Sequence, residues 1–347
     1  MTKVQKTIVF FLLVSMTTVF MACSVWPWGS PVQEQENIDD NGQRKQEGKA
    51  PPISPLSEKT SNEETDVTLF FRYNQDDYLA SDTRKIKVIA TERVEKVIVE
   101  ELIKGPNPGK LELTPLFHPS TKVVAVSDNN DYLFVTLSRE FLEPPMEVPD
   151  NWQEDKNWVD EVNRTRRLAV YSIVNTLTEL GKFNRVQILI QGDIDDERGE
   201  RPKRKEMGFT DGNEEKQNTL LEPLARNTSL ILTPMNTVEA MLNAFMEKDW
   251  GKVYQYTASK DTNNVPKPED NDFKSTMASL DPTLENFRVR DEHVSNDGQN
   301  ALVTIDFSIK MKDGKVFEKT YIPIKLIREK EIWKVIFPSV SSIYENE

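Results

Sequence analysis

Val67-Thr68-Leu69-Phe70-Phe71-Arg72-Tyr73 is a run of apolar, β-branched and aromatic residues, and it reads as a strand. Lys85-Ile86-Lys87-Val88-Ile89 reads as its partner, across the polar turn chemistry of Asn74-Gln75-Asp76-Asp77. The apolar spacing then turns helical. Over Glu92 to Lys104, Val94, Val97, Ile98 and Leu102 fall on one face. Gly105-Pro106 stops the helix, because glycine accepts the left-handed cap and proline cannot continue the ladder.

Working outward, Lys122 to Val126 and Tyr132 to Leu137 predict a hairpin around Asp128-Asn129-Asn130. Leu133, Val135 and Leu137 share one face of it, Tyr132 and Phe134 the other. A loop holding Pro144, Pro145 and Pro149 leads to a long helix, about Glu161 to Leu180. Its buried stripe is Ala169, Ile173, Leu177 and Leu180, and Gly181 ends it. Arg185 to Ile190 is a last apolar strand. Strand, strand, helix, two strands, helix, strand predicts an α+β sandwich with helices on one face of a sheet.

Five segments then carry a resemblance. They are Glu101 to Pro106, Val135 to Phe141, Ser172 to Thr178, Val186 to Gly192 and Glu222 to Asn227. In this order they resemble the GerMN domain of sporulation and spore-germination lipoproteins, over roughly half the chain. The resemblance implies a ring-building-like α/β sandwich over 66–227, no catalysis, and work done by contact with other envelope proteins. Two features depart from the family: there is no second GerMN copy, and a charged insert, about 193–217, precedes the Glu222-Pro223-Leu224 segment.

From Thr233 the pattern restarts, and 233–345 is expected to be a second domain. Asn236 is the expected helix cap, with Glu239 reaching back to it, and Val238, Met241, Leu242 and Phe245 make the apolar stripe. Asp249 starts a short helix with Trp250, Val253 and Tyr254; a third helix is expected near Phe273 to Leu280. The tail reads as strand throughout: Phe287 to Val294, Ala301 to Met311, Val316 to Ile327 and Ile332 to Phe337, with Asp297-Gly298 and Asp313-Gly314 as hairpin turns. Helices followed by a curved antiparallel sheet resemble the cone-shaped nuclear transport factor two-like fold. Enzymes of that fold need a polar pair inside the cone; His293 and Asp306 are the residues on offer.

The N-terminus supplies an address. Lys3 and Lys6 precede the apolar run Thr7 to Cys23, which is short for a membrane span and fits an export signal over 1–22. Phe20-Met21-Ala22-Cys23 resembles a bacterial lipobox, which implies that Cys23 is lipidated and that the membrane is reached through a lipid anchor on the outer face of a Gram-positive cell. Trp26 and Trp28 are placed for headgroup depth. Residues 23–65 form the expected lipidated start and disordered tether. The 37 residues from 29 to 65 span about 35 Å root-mean-square as a flexible coil. Cys23 is the chain's one cysteine, so no disulfide within the chain is available.

Composition narrows the chemistry. A net charge of −13 at pH 7 argues against nucleic acid, whose phosphates need clustered lysine and arginine. Two histidines, His118 and His293, are too few for a zinc site of three or four close ligands. His118 lies in a loop with no nucleophile motif beside it, and no phosphate loop occurs, so no cofactor or metal is expected. The acidic knot Asp193, Asp195, Asp196 and Glu197 lacks the spacing of a calcium loop. With the basic block Arg201, Lys203, Arg204 and Lys205 it reads as a solvated, mobile loop or as a docking tongue. Trp152 and Trp158 are further candidates for partner contact. The leading expectation is a non-enzymatic assembly lipoprotein of sporulation or germination, with oligomers allowed. The rivals are a ligand- or wall-sensing lipoprotein coupled to a kinase or transporter, and a wall-remodelling enzyme.

Overall fold

The computed structural model describes residues 63–192 and 199–345. The expected leader over 1–22, Cys23, the expected tether up to residue 62 and the acidic residues within 193–198 lie outside them. Lys59–Glu347 clusters as one compact unit. It consists of two lobes.

In the first lobe β1 (Glu63–Tyr73) pairs antiparallel with β2 (Leu79–Val88), from Glu63 opposite Val88 to Arg72 opposite Leu79. The expected tether therefore gives way to strand three residues early, because Glu63, Glu64 and Thr65 find ladder partners in Val88, Lys87 and Ile86. The polar turn forms where its sequence places it. Asn74 and Gln75 adopt positive φ, and the buried Arg72 guanidinium donates to the carbonyls of Gln75 (2.5 Å) and Asp76 (2.8 Å). Helix α1 (Val94–Lys104) buries Val97, Ile98 and Leu102, with Val94 half-buried. The Gly105 amide closes it onto the Leu102 carbonyl at 3.1 Å with φ 94°.

Two sheets form where one is expected. One has the order β2-β1-β3, with β3 Leu113–Thr114; the other runs β4 (Val123–Asn129), β5 (Tyr132–Leu137), β6 (Arg185–Ile190), β7 (Leu224–Ala225). The reason lies in α2 (Lys156–Glu179), which touches both β1 and β6. At the edge of β1 the Phe70 amide donates to Thr176 Oγ1 (3.3 Å) and the Phe70 carbonyl accepts from Ser172 Oγ (2.6 Å). Two hydroxyls one helical turn apart thus satisfy backbone groups that another strand would otherwise bond. Asn175, fully buried, bonds the backbone amide (2.8 Å) and carbonyl (3.1 Å) of Asn227, which ties the Ser172 segment to the Glu222 segment. α2 starts earlier than expected because Asp155 caps it through the Asn157 amide. Leu180 falls outside the stripe and is 39% exposed; Phe183, past the turn at Gly181, is buried in the core.

A one-turn helix, α3 (Glu214–Gln217), lies between β6 and β7. In the second lobe, α4 (Pro234–Met246), α5 (Trp250–Tyr256) and α6 (Asp270–Leu280) precede a sheet of order β11-β10-β9-β8. Its strands are β8 (Thr283–Val294), β9 (Asn300–Lys310), β10 (Val316–Glu329) and β11 (Ile332–Val335), all antiparallel. Two expectations fail here. Thr233, not Asn236, caps α4: its Oγ1 accepts from the Asn236 amide (3.1 Å), Pro234 occupies the first turn, and the Asn236 side chain donates to the carbonyls of Thr228 and Ile231. The tail is also not all strand. Phe337–Tyr344 is a helix, α7, started by Pro338 and packed on β10. Val238, Met241, Leu242 and Phe245 of α4, which packs on β8, β9 and β11, are buried in the same core as Val303, Ile305 and Ile309 of β9 and Ile324 and Leu326 of β10, all at most 1% exposed. The inner face of the sheet is therefore lined with buried hydrocarbon.

Candidate functional site

With apolar residues on the inner face of the second lobe's sheet, polar chemistry collects where the lobes meet. Three latches cross that seam, each set by a short local feature. The first is Lys334 in β11, whose neighbours Ile332, Trp333 and Val335 are also buried. Its ammonium donates to Glu112 (2.5 Å), to the Gln255 carbonyl (2.6 Å) and to the Tyr73 hydroxyl, which itself donates to Gln255 O at 2.8 Å. All three lysine donors are used, which is what permits a side chain 2% exposed to carry charge. Burial pulls the Lys334 pKa down, and Glu112 opposes that fall.

The second latch is the β10–β11 turn. Lys330 and Glu331 both take positive φ, the geometry of a two-residue hairpin turn usually given to asparagine and glycine. This turn aims Glu331 at the first lobe, where its carboxylate accepts from the Thr83 amide (2.7 Å) and from Lys110 (2.6 Å), and its carbonyl accepts from Ser81 Oγ. Third, the Tyr256 hydroxyl donates to Asp76 at 2.7 Å, and the Tyr256 ring lies 5.4 Å from that of Tyr73. Burial raises both tyrosine pKa values, so both rings stay neutral donors.

Beside the first latch a cleft of about 400 Å³ opens between the lobes. Asn74 and Glu112 line it from the first lobe; Tyr254, Thr257, Ser259, Lys267, Glu329 and Lys330 line it from the second. Lys267 ends the loop after α5. Its ammonium donates to the carbonyls of Tyr254 (2.8 Å) and Thr257 (2.9 Å) and stands 3.6 Å from the centre of the Tyr254 ring. Burial, then repulsion from Lys334, pushes its pKa down to about 8. Nothing in the sequence singled out this residue, because the loop that holds it reads only as polar.

The residues singled out by sequence sit elsewhere. Trp152 and Trp158 are half-buried, at the short helical turn before α2 and in its first turns. The described part of the insert is folded rather than loose. Met207 and Phe209 are buried, Phe209 meets Tyr171 edge-on at 5.7 Å, and Gly208 at φ 79° lies so close to α2 that a Cβ would come within 2.0 Å of the Asn163 carbonyl. Its basic block is partly committed: Arg201 pairs with Glu222 (2.8 Å) and Arg204 with Asp211 (3.0 Å), whereas Lys203 and Lys205 are exposed. His118 lines a surface groove with Pro144 and Pro145. His293 is exposed, and Asp306 is on the outer phase of β9, paired with Arg290 and accepting from the Tyr321 amide at 2.9 Å. The two are not brought together inside a cone. Among the described residues no cluster of histidine, cysteine, aspartate or glutamate is arranged to hold a metal ion.

Residues 68–196 match the family model described as Germane, sporulation and spore germination. That match falls on the first lobe. No curated protein matches the chain. Among solved structures, the tandem GerMN domains of the sporulation protein GerM from Bacillus subtilis are 15% identical, with 52% of this chain and 51% of that one covered and a TM-score of 0.31. This chain thus spans about half the length of the tandem protein. The first GerMN domain of the same protein is 17% identical, covering 47% of this chain and 98% of that one at a TM-score of 0.29. An NTF2-like protein of unknown function from Prochlorococcus is 16% identical, covering 30% of this chain and 88% of that one at a TM-score of 0.22.

Proposed function

We propose that this chain is a membrane-held, non-catalytic assembly component of sporulation or spore germination. The observation that carries the reading is the Germane match over residues 68–196, downstream of the lipobox-like Phe20-Met21-Ala22-Cys23. The latched seam supports it. A body whose lobes cannot swing independently presents a fixed surface, and partner binding then loses less freedom. In this reading Cys23 carries the lipid, and Trp152, Trp158, Lys203 and Lys205 are contact candidates. Deleting the gene in the native spore former should lower the yield of heat-resistant spores or their germination. Restoring Cys23→Ala in place of the native gene should leave the protein soluble and the defect uncorrected. Normal sporulation and germination in the deletion strain would sink the assignment.

A second reading is favoured by the cleft beside Lys334: a sensing lipoprotein in which a ligand held between the lobes is reported to a kinase or transporter. A phenotype confined to vegetative cells would select it over the first.

A further inference from the structure

Lys267 presents a local imbalance of charge. Among the described residues no carboxylate oxygen lies within 4.0 Å of its ammonium. Two of its three donors reach backbone carbonyls, and the Tyr254 ring covers part of the head, so one donor is left for the cleft. The carboxylates nearby are engaged with other groups. Glu112 accepts from Lys334, and Glu329 accepts from the amide and hydroxyl of Ser259. Across the lining, Lys267, Lys330 and Lys334 face Glu112 and Glu329, which leaves one positive charge in surplus.

A partly desolvated ammonium without a counter-ion is a costly arrangement unless an anion completes it. A lysine pinning a loop needs no adjoining cavity; here the head borders a space of about 400 Å³, within the range of small-molecule sites. We propose that this cleft binds a small oxyanion-bearing ligand, a carboxylate or a phosphate ester, whose charge Lys267 meets with its remaining donor while Lys330 closes on it from the rim. The rim amide of Asn74 and the backbone of the Ser259 turn supply polar partners for the rest of such a ligand. The proposal sharpens the sensing reading and rests on it only for its biological use; binding and spore yield are measured separately, so either can fail alone.

The test is calorimetric titration of the full-length protein in physiological salt with inorganic phosphate and, separately, with succinate. One-site saturation by either probe is expected, and which of the two saturates names the anion class. Lys267→Met should weaken it about tenfold or more, the worth of a charge-assisted hydrogen bond. Near pH 8.5 the bound anion should also draw a proton onto Lys267, whose other charged neighbours are Lys334, Glu329, Glu112 and Asp270. The heat of binding should then differ between buffers of high and low ionisation enthalpy. This last measurement uses the unaltered protein, so it holds even if the variant fails to fold. Saturation by neither probe, unchanged affinity in a folded Lys267→Met protein, or binding without proton uptake would overturn the proposal.

Discussion

The curl of the second lobe and the seam between the lobes are both concave, and they are filled in opposite ways. Inside the curl, Val238, Met241, Leu242 and Phe245 of α4 are buried in one core with Val303, Ile305, Ile324 and Leu326. Along the seam the buried groups are Lys334, Tyr73 and Tyr256, each held by hydrogen bonds, with a cleft beside them. Hydrocarbon packing is non-directional and closes gaps. Polar contacts are directional, need their partners at fixed distances, and leave room where no partner fits. The curled sheet of the second lobe thus presents buried hydrocarbon on its inner side, and the polar chemistry lies at its flank.

Mutations can break that contrast. Phe245→Ala should have the largest effect, about 4 kcal/mol of lost stability measured by guanidinium unfolding, because a fully buried ring is removed from a site with little freedom to collapse. Lys334→Met should cost roughly 2 kcal/mol, less than a fully sealed ion pair, since the Glu112 side chain is 35% exposed and can turn to water. Its signature should differ as well. Loss of the latch should broaden the unfolding transition or split it in two, whereas Phe245→Ala should shift one transition as a whole.

Titration sharpens the comparison further. Lys267 has a folded pKa near 8, below its ordinary 10.5, owing first to burial and then to Lys334. Between those values the unfolded chain holds more protons than the folded one, so stability rises with pH. Relative to Lys267→Met, the unaltered protein should therefore gain stability from pH 8 to 10.5, with no such trend for Phe245→Ala against wild type. The smallest effect belongs to the second latch. Lys330→Asn should add about 0.5 kcal/mol, since asparagine tolerates the positive φ there better than lysine, and thermal melting should show a slight rise.

What could be read from sequence, and what could not, follows the same divide. β1, α1, α2, β6 and β9 are written in periodic apolar residues, and a local period survives without knowledge of neighbours. The cap of α4 is ambiguous in sequence because Thr233 and Asn236 are both good caps three residues apart; Pro234, at home in a first turn, is the signal for the earlier one. The sequence reading names no helix after its last strand, Ile332 to Phe337, yet Pro338 again marks a helix start. The insert reads as charge, and what folds it is three small facts: Met207, Phe209 and a glycine that alone fits against α2. The seam was invisible. Tyr73 and Lys334 lie 261 residues apart, and no local pattern in either strand announces the other. Two domains in sequence thus cluster as one unit in space.

The β1–β2 ribbon has a mechanical consequence. The chain enters at Glu63, and the contacts with the second lobe fall at Tyr73 on β1 and at Ser81 and Thr83 on β2. Eleven residues of strand cover about 35 Å. A pull between an anchor upstream of Glu63 and anything gripping the second lobe would run lengthwise along the ribbon. Its cross-strand bonds lie at right angles to that line and would carry the load together, in shear, rather than peeling open one after another.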